Sequence, residues 1–197
     1  MHMEGFKFDP DKLEHLNDPE RLKDIPPAWI WEKLNLEHTP GTVVDLGAGT
    51  GLFSRQFARM EGVEKVYALD ISGIMVEYMN NEVASLDERI VPLQMEEAVV
   101  PLSDDTADVL VMINLHHEFH HPDALLKECA RVLKPEGRLV IVDWKKEDTG
   151  HGPPVEKRYQ VDEVENQLKS VPFQSIRSYT NLPAHFLVVA ASHKTPQ

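Results

Sequence analysis

The chain has 197 residues, 42% hydrophobic and 27% charged, which fits one globular domain with a sizeable core. Its formal charge of −13 argues against a nucleic-acid partner, whose phosphates demand a basic face, and against anionic membrane surfaces and strongly acidic substrates. The single cysteine, Cys129, excludes an intramolecular disulfide framework; with no apolar run of spanning length and no charged-then-apolar start, the sequence predicts a cytoplasmic protein.

Residues 1–40 read as an N-terminal helical extension and 41–197 as the main domain. Asp11 to Leu16 and Pro19 to Leu22 each predict a turn or two of helix. Pro27 can sit in the first turn of a firmer helix that carries Trp29, Ile30, Lys33 and Leu34, and Pro40-Gly41 ends the segment. The next stretch organises the rest: Val43-Val44-Asp45-Leu46-Gly47-Ala48-Gly49-Thr50-Gly51-Leu52-Phe53-Ser54. An apolar run breaks into three glycines at alternate positions, and helical periodicity then begins with Leu52, Phe53, Phe57 and Met60. Strand, glycine turn and helix form the first unit of a doubly wound sheet. A dinucleotide fingerprint needs a third glycine three residues after the second, and that position is Leu52; no Gly-Lys-Ser/Thr follows either. Asp45 at the mouth of the loop would repel a pyrophosphate and suits a ligand carrying an ammonium or sulfonium group.

Asp45-Leu46-Gly47-Ala48-Gly49-Thr50-Gly51 resembles motif I of the class I S-adenosylmethionine-dependent methyltransferases. The resemblance implies S-adenosyl-L-methionine as cofactor, its methionine part lying over Gly47, Ala48, Gly49 and Gly51 near Asp45. It also implies that the N-terminal extension folds over the cofactor. Phe6, Phe8, Trp29 and Trp31 are then candidates for an acceptor-facing lid; the plainer alternative is that they pack the extension onto the sheet. Lys7-Phe8-Asp9-Pro10 and Pro26-Pro27 are similar to the start of small members of the ubiquinone/menaquinone-biosynthesis-like branch.

Lys65 to Ile71 predicts the second strand. Its Asp70 stands 23 residues after Gly47, the interval at which an acid reaches a ribose; Ser72 is the better cap for the next helix. That helix, Gly73 to Leu86, carries Met75, Val76, Met79 and Val83, and Ile71 and Met75 are near enough to Asp70 to touch an adenine. Arg89 to Gln94 is the third strand. Met95 and Glu96 match the family's adenine-reading positions, a backbone N–H and a carboxylate, with Glu97 the alternative acid. Ala107 to Asn114 is a near-continuous apolar strand, as expected at a central parallel position.

Its end, Asn114-Leu115-His116-His117-Glu118-Phe119-His120-His121, resembles the segment whose tip faces the transferable methyl. Asn114 and Leu115 are therefore cofactor candidates, and His116 or His117 candidates for a catalytic or acceptor-positioning role. The four histidines also invite a metal reading by their i,i+4 spacing, but no second ligand cluster accompanies them, and no metal is assigned. His120 and His121 read as exposed. Pro122 to Leu133 predicts an amphipathic helix with Cys129 as a small core residue, and Lys134 to Gly137 a turn. Arg138 to Trp144 is the fifth strand. Lys145 to Tyr159 is a candidate acceptor-site loop. Val161 to Ser170 is a helix, and Gln174 to Thr180 with His185 to Ser192 an antiparallel edge pair.

The expected architecture is α/β: a doubly wound, Rossmann-like seven-stranded sheet with helices on both faces. The resemblance supplies the order 3-2-1-4-5-7-6 with strand 7 antiparallel. It implies methyl transfer to a small-molecule acceptor by in-line attack, with no nucleic-acid or membrane partner. The alternatives are a catalytically silent cofactor-binding protein, an NAD-linked oxidoreductase and a metal-binding interaction protein.

Overall fold

Alternate side chains of a strand point to opposite faces of its sheet. In β1 (Thr42–Leu46) Val44 and Leu46 accordingly enter one apolar cluster and Val43 the other. The same split recurs along β4 (Ala107–Ile113), every residue of which is buried. A strand buried on both sides must be covered by helices on both faces. The computed structural model describes residues 10–36 and 38–194.

The elements are α1 (Pro10–Asn17), α2 (Arg21–Asp24), α3 (Pro27–Leu34), β1, α4 (Leu52–Phe57), β2 (Lys65–Asp70), α5 (Gly73–Met79), β3 (Ile90–Gln94) and β4. Then follow α6 (Asp123–Val132), β5 (Leu133–Trp144), α7 (Val161–Lys169), β6 (Phe173–Tyr179) and β7 (His185–Ser192). They form a seven-stranded sheet in the order 3-2-1-4-5-7-6, the expected one. β1 pairs in parallel with β2 and β4, while β7 runs antiparallel to β5 and β6. Residues of α6 and α7 cover one face (Leu125, Leu126, Cys129, Val164, Leu168). Residues of α3, α4 and α5 cover the other (Ile30, Phe57, Met79).

Two elements depart from the sequence expectation. The helix expected to run from Gly73 to Leu86 is α-helical only to Met79 and continues as a π-helical turn, Asn80–Ala84. Asn80 Nδ2 donates to the Val76 carbonyl and Ser85 Oγ to that of Asn81. Such side-chain bonds compete with the regular backbone ladder. Lys134 to Gly137, expected as a turn before the fifth strand, is a bulge inside it: Leu133 already pairs with Ala107, and Arg138 with Val109. Gly137 permits the bulge, because a Cβ there would lie 3.0 Å from the Lys134 oxygen and 3.1 Å from that of Asp108.

The extension, α3 included, packs on the face that carries α4 and α5. Trp29 meets Tyr179 edge-to-face at 6.0 Å and Trp31 stacks on Phe57 at 6.2 Å. These two tryptophans pack the extension onto the domain, the plainer of the two readings; Phe6 and Phe8 lie outside the described residues. α1 does reach the glycine turn. A Cβ on Gly49 would sit 3.7 Å from Leu16 Cδ1, and Asn17 Nδ2 donates to the Tyr78 hydroxyl at 3.0 Å.

Candidate cofactor and active site

β1, β2, β4 and β5 all bring an Asp or Asn to their carboxyl ends: Asp45, Asp70, Asn114 and Asp143. The crevice beyond strand ends, where the order reverses, is where open α/β sheets bind ligands. β1 leaves the sheet through Gly47, Gly49 and Gly51, with φ of 73°, 57° and 75°. A Cβ on Gly47 would also lie 2.8 Å from both Leu115 δ-carbons, so that side chain would have to shift. Leu115, at the tip of β4, thus seats directly on the turn.

Four donors of this turn are committed internally. Gly47 and Ala48 N–H both donate to the Leu69 carbonyl, Gly51 N–H to that of Ala48, and Gly49 N–H to Asp70 Oδ2 at 2.8 Å. A pyrophosphate loop works by pointing N–H groups at phosphate oxygens. This turn withdraws them, which counts against the NAD reading. Acceptors line the crevice instead. Asp70, half-buried, takes N–H bonds from Gly49 and Ser72 and retains free lone pairs on both oxygens. Ser72 caps α5, as expected. Asn114 adopts φ 54°, and its Oδ1 is buried without a hydrogen-bond partner among the described residues. Ile71 is 57% exposed next to Asp70, a free apolar surface, and Met75 is half-buried one turn into α5.

Two placements correct the sequence reading. Asp45 is not at the mouth of the loop but beneath it, 2% exposed, accepting the Ser54 hydroxyl at 2.5 Å. Burial pushes its carboxyl up to about 6, opposed by the Ser54 bond and reinforced by the neighbouring Asp70 charge. The Met95 N–H, expected to read an adenine edge, already donates to the Asp70 carbonyl at 3.0 Å. Parallel β2–β3 pairing, carried one residue beyond Gln94, takes that donor. Glu96 and Glu97 are both exposed beside it.

The histidine run separates into unlike environments. His120 and His121 are exposed, as expected. His116 is wholly enclosed: Nε2 lies 2.7 Å from Gln167 Oε1, Nδ1 has no partner among the described residues, and the ring packs 5.2 Å from Tyr159. Burial lowers its pKa against the pull of the Gln167 bond, so the ring is neutral at pH 7. His117 is gripped by Asp143, which accepts its backbone N–H at 2.8 Å and lies 2.7 Å from its Nδ1. Its Nε2 lies 3.3 Å from the exposed Glu118 carboxylate. Burial opposes charge on this ring, but the Asp143 hydrogen bond and the two carboxylates outweigh it and raise the pKa above 6.5. Among the described residues no group of three His, Cys, Asp or Glu side chains could hold a metal ion.

A methyltransferase-domain family profile matches residues 44–141. A solved S-adenosylmethionine-dependent methyltransferase from Aquifex aeolicus is 35% identical and superposes with a TM-score of 0.84 over 94% of this chain and 100% of its own. The chain belongs to the class I S-adenosylmethionine-dependent methyltransferases. Among curated relatives, the ubiquinone/menaquinone biosynthesis C-methyltransferase UbiE of Haemophilus ducreyi is 31% identical over 124 residues, covering 59% of this chain and 48% of its own. The malonyl-[acyl-carrier protein] O-methyltransferase of Methylococcus capsulatus is 34% identical over 103 residues, covering 52% and 37%. The chain spans about half the length of the curated relatives it matches.

S-adenosylmethionine is the cofactor of this methyltransferase family, and the crevice suits it. The molecule presents donors (an ammonium, two ribose hydroxyls, an adenine amine) to a site lined by acceptors. The unpartnered Asn114 Oδ1 fits the ammonium, the Asp70 lone pairs fit the ribose diol, and Ile71 offers adenine an apolar surface. Sequence reading missed Asp143, Gln167 and Tyr159 around the histidines. One signal was available: Asp143 ends the apolar run Leu139 to Val142 as Asp45 and Asp70 end theirs.

Proposed function

We propose that this methyltransferase alkylates a small-molecule acceptor bearing an ionisable O–H, N–H or activated C–H, with His117 as general base and Asp143 as its positioning residue. The observation that carries this reading is the His117–Asp143 pair at the carboxyl ends of β4 and β5. When bound, S-adenosylmethionine supplies a methyl on a sulfonium sulfur, which leaves as a thioether when an acceptor atom attacks in line. The acceptor proton passes to His117 Nε2, because Asp143 holds the only proton of the neutral ring on Nδ1. Glu118, 3.3 Å from Nε2 and exposed, gives that proton a route to water. His116 shapes the wall through Gln167 and Tyr159.

A small acceptor is supported by the net charge of −13 and by the name of one relative, a C-methyltransferase of ubiquinone/menaquinone biosynthesis. A cleft of about 290 Å³ opens at this end of β5 and β7, lined by Lys145, Tyr159 and Phe186. A larger one, about 440 Å³ and lined by Trp31, His38, Pro40 and Glu61, lies at the opposite ends of β1 and β2, away from these groups.

The test is transfer of a labelled methyl to the small-molecule fraction of a cell extract, followed by single-turnover rates on the labelled product's precursor. The rate should rise with pH through one ionisation above 6.5 and flatten in His117→Gln. In Asp143→Asn the ionisation should shift to lower pH, because a counter-charge has gone, and the plateau should fall. Label found only in macromolecules, or unchanged pH profiles in both variants, would refute the proposal.

A further inference from the structure

Strand alternation carries Asp143 and Lys145 to the same face at the end of β5. Asp143 grips His117, and Lys145 extends the pairing with β7 by one more bond, its N–H donating to the Ala184 carbonyl at 2.9 Å. Across the ladder Asp143 stands opposite Phe186, which packs into the cluster covered by α6 and α7. Phe186 and Lys145 both line the cleft of about 290 Å³. Tyr159 walls that cleft from the histidine segment: its ring packs 5.2 Å from His116, and its hydroxyl donates to the Phe119 carbonyl at 2.6 Å. The cleft therefore opens on the side of the sheet that carries the His117–Asp143 pair.

Its lining is of two kinds. Phe186, Tyr159 and Val161 supply apolar surface, and two lysines stand at the rim. Lys146 is engaged, its Nζ 3.4 Å from the Glu163 carboxylate. Lys145 forms no salt bridge among the described residues, and its Nζ has a single acceptor there, the Pro183 carbonyl at 3.3 Å. An ammonium has three donors. With 33 acidic and 20 basic side chains in the chain, carboxylates are in excess, yet none is spent on this lysine. The net charge of −13, with Glu147 also on the cleft, disfavours a polyanion. One carboxylate against one free ammonium is compatible with both.

We propose that the methyl acceptor is a small monocarboxylic acid with an apolar body. Lys145 holds its carboxylate, Phe186 and Tyr159 hold its body, and the atom to be methylated lies toward His117. The inference rests on the reading of His117 as general base and names the acceptor class for that site. Residues two apart on a strand are separated by about 6.7 Å, and the lysine stem adds to that reach, so the carboxylate and the reacting atom occupy opposite ends of the acceptor. The reacting O–H, N–H or C–H gives its proton to His117 Nε2 and gains the sulfonium methyl. The carboxylate is a handle and survives the transfer.

The test supplies methyl-labelled S-adenosylmethionine and the small-molecule fraction of a cell extract in serial dilution. The labelled product should be retained by an anion exchanger at pH 7 and released at about pH 2.5, where a carboxylate is protonated and a phosphate keeps charge. Lys145→Gln should raise the extract concentration that half-saturates labelling at least tenfold and leave the plateau rate near wild type. Lys145→Arg should recover most of the loss. S-adenosylhomocysteine affinity by calorimetry should be the same in all three proteins, which also reports an intact fold. A product that passes the exchanger at pH 7 or stays bound at pH 2.5, or unchanged half-saturation in Lys145→Gln, would overturn the inference and leave the His117 reading standing. A wild-type chain that labelled nothing in that fraction would remove the small-acceptor reading and this inference with it.

Discussion

Asp45 carries an unfavourable charge beneath the glycine turn. Buried at 2% with one hydroxyl partner, its carboxyl is pushed from the usual 3.8 up to about 6. A raised carboxyl contributes stability that is complete below its unfolded pKa and is lost as pH rises through the folded value. Ionising Asp45 at neutral pH therefore costs the apo fold about 3 kcal/mol. Asp45→Asn, which keeps an oxygen for the Ser54 hydroxyl, should be more stable than wild type above pH 7. The gap should close between pH 6 and 4 in denaturant titrations. The same variant should bind S-adenosylhomocysteine more weakly, since the charge favours an ammonium nearby. A constant stability difference across pH would refute the assignment. At this scale the sequence was informative about which residues reach the site and poor about their partners. The glycine spacing and strand-end acids pointed to Gly47, Gly49 and Asp70, which the fold brings together by the Gly49–Asp70 bond, and to Asp45, which it buries beneath them. Sequence alone could not pair His117 with Asp143, 26 positions apart, because that contact depends on β4 and β5 being neighbours.

Elements are positioned here by a small number of polar anchors as well as by apolar burial. The loop from Lys145 to Lys157 is the clearest case. Arg158, 4% exposed, donates to the carbonyls of Lys145, Glu147, His151 and Pro153 and to Thr149 Oγ1. Its guanidinium also lies 5.4 Å over Trp144, whose other contacts include His151 and His185. Removing these charge-assisted bonds leaves several carbonyls without their donor. Arg158→Met should thus raise amide hydrogen exchange across 145–157 while β4 and β5 keep their protection; unchanged exchange in the loop would show that backbone turns alone hold it. Composition marked this segment as a loop, and its place at the carboxyl end of the fifth strand suggested acceptor access. The anchor was not legible, because one arginine serving five acceptors leaves no pattern in sequence. The π-helical turn and the β5 bulge were hidden likewise, since both follow from local competition for backbone groups rather than from apolar periodicity.

The molecule as a whole ties its sheet to the glycine turn and to α5 through Asp70. This carboxylate joins the end of β2 to the glycine turn through Gly49 and to α5 through Ser72, while α1 closes over the same turn with Leu16 and Asn17. The fold was legible because long apolar strands alternate with amphipathic helices. The strand order came from the likeness of the glycine motif, since periodicity alone does not order strands. A ligand seated on Asp70 stabilises every element that meets there, and at 100 times its Kd a ligand contributes about 2.7 kcal/mol. For a domain of this size that raises Tm by about 5–10 °C. Asp70→Ala should first lower the apo Tm, because the Gly49 and Ser72 N–H groups lose their acceptor. It should then cut the S-adenosylhomocysteine-induced shift, measured at the same ligand concentration, by at least half, since charged hydrogen bonds are worth about 1.5–3 kcal/mol and a tenfold or greater loss of affinity follows. The two effects separate the structural from the ligand-binding role. A lower apo Tm with an undiminished ligand shift would leave Asp70 as a tie between β2 and the turn, and the ribose would need another acceptor.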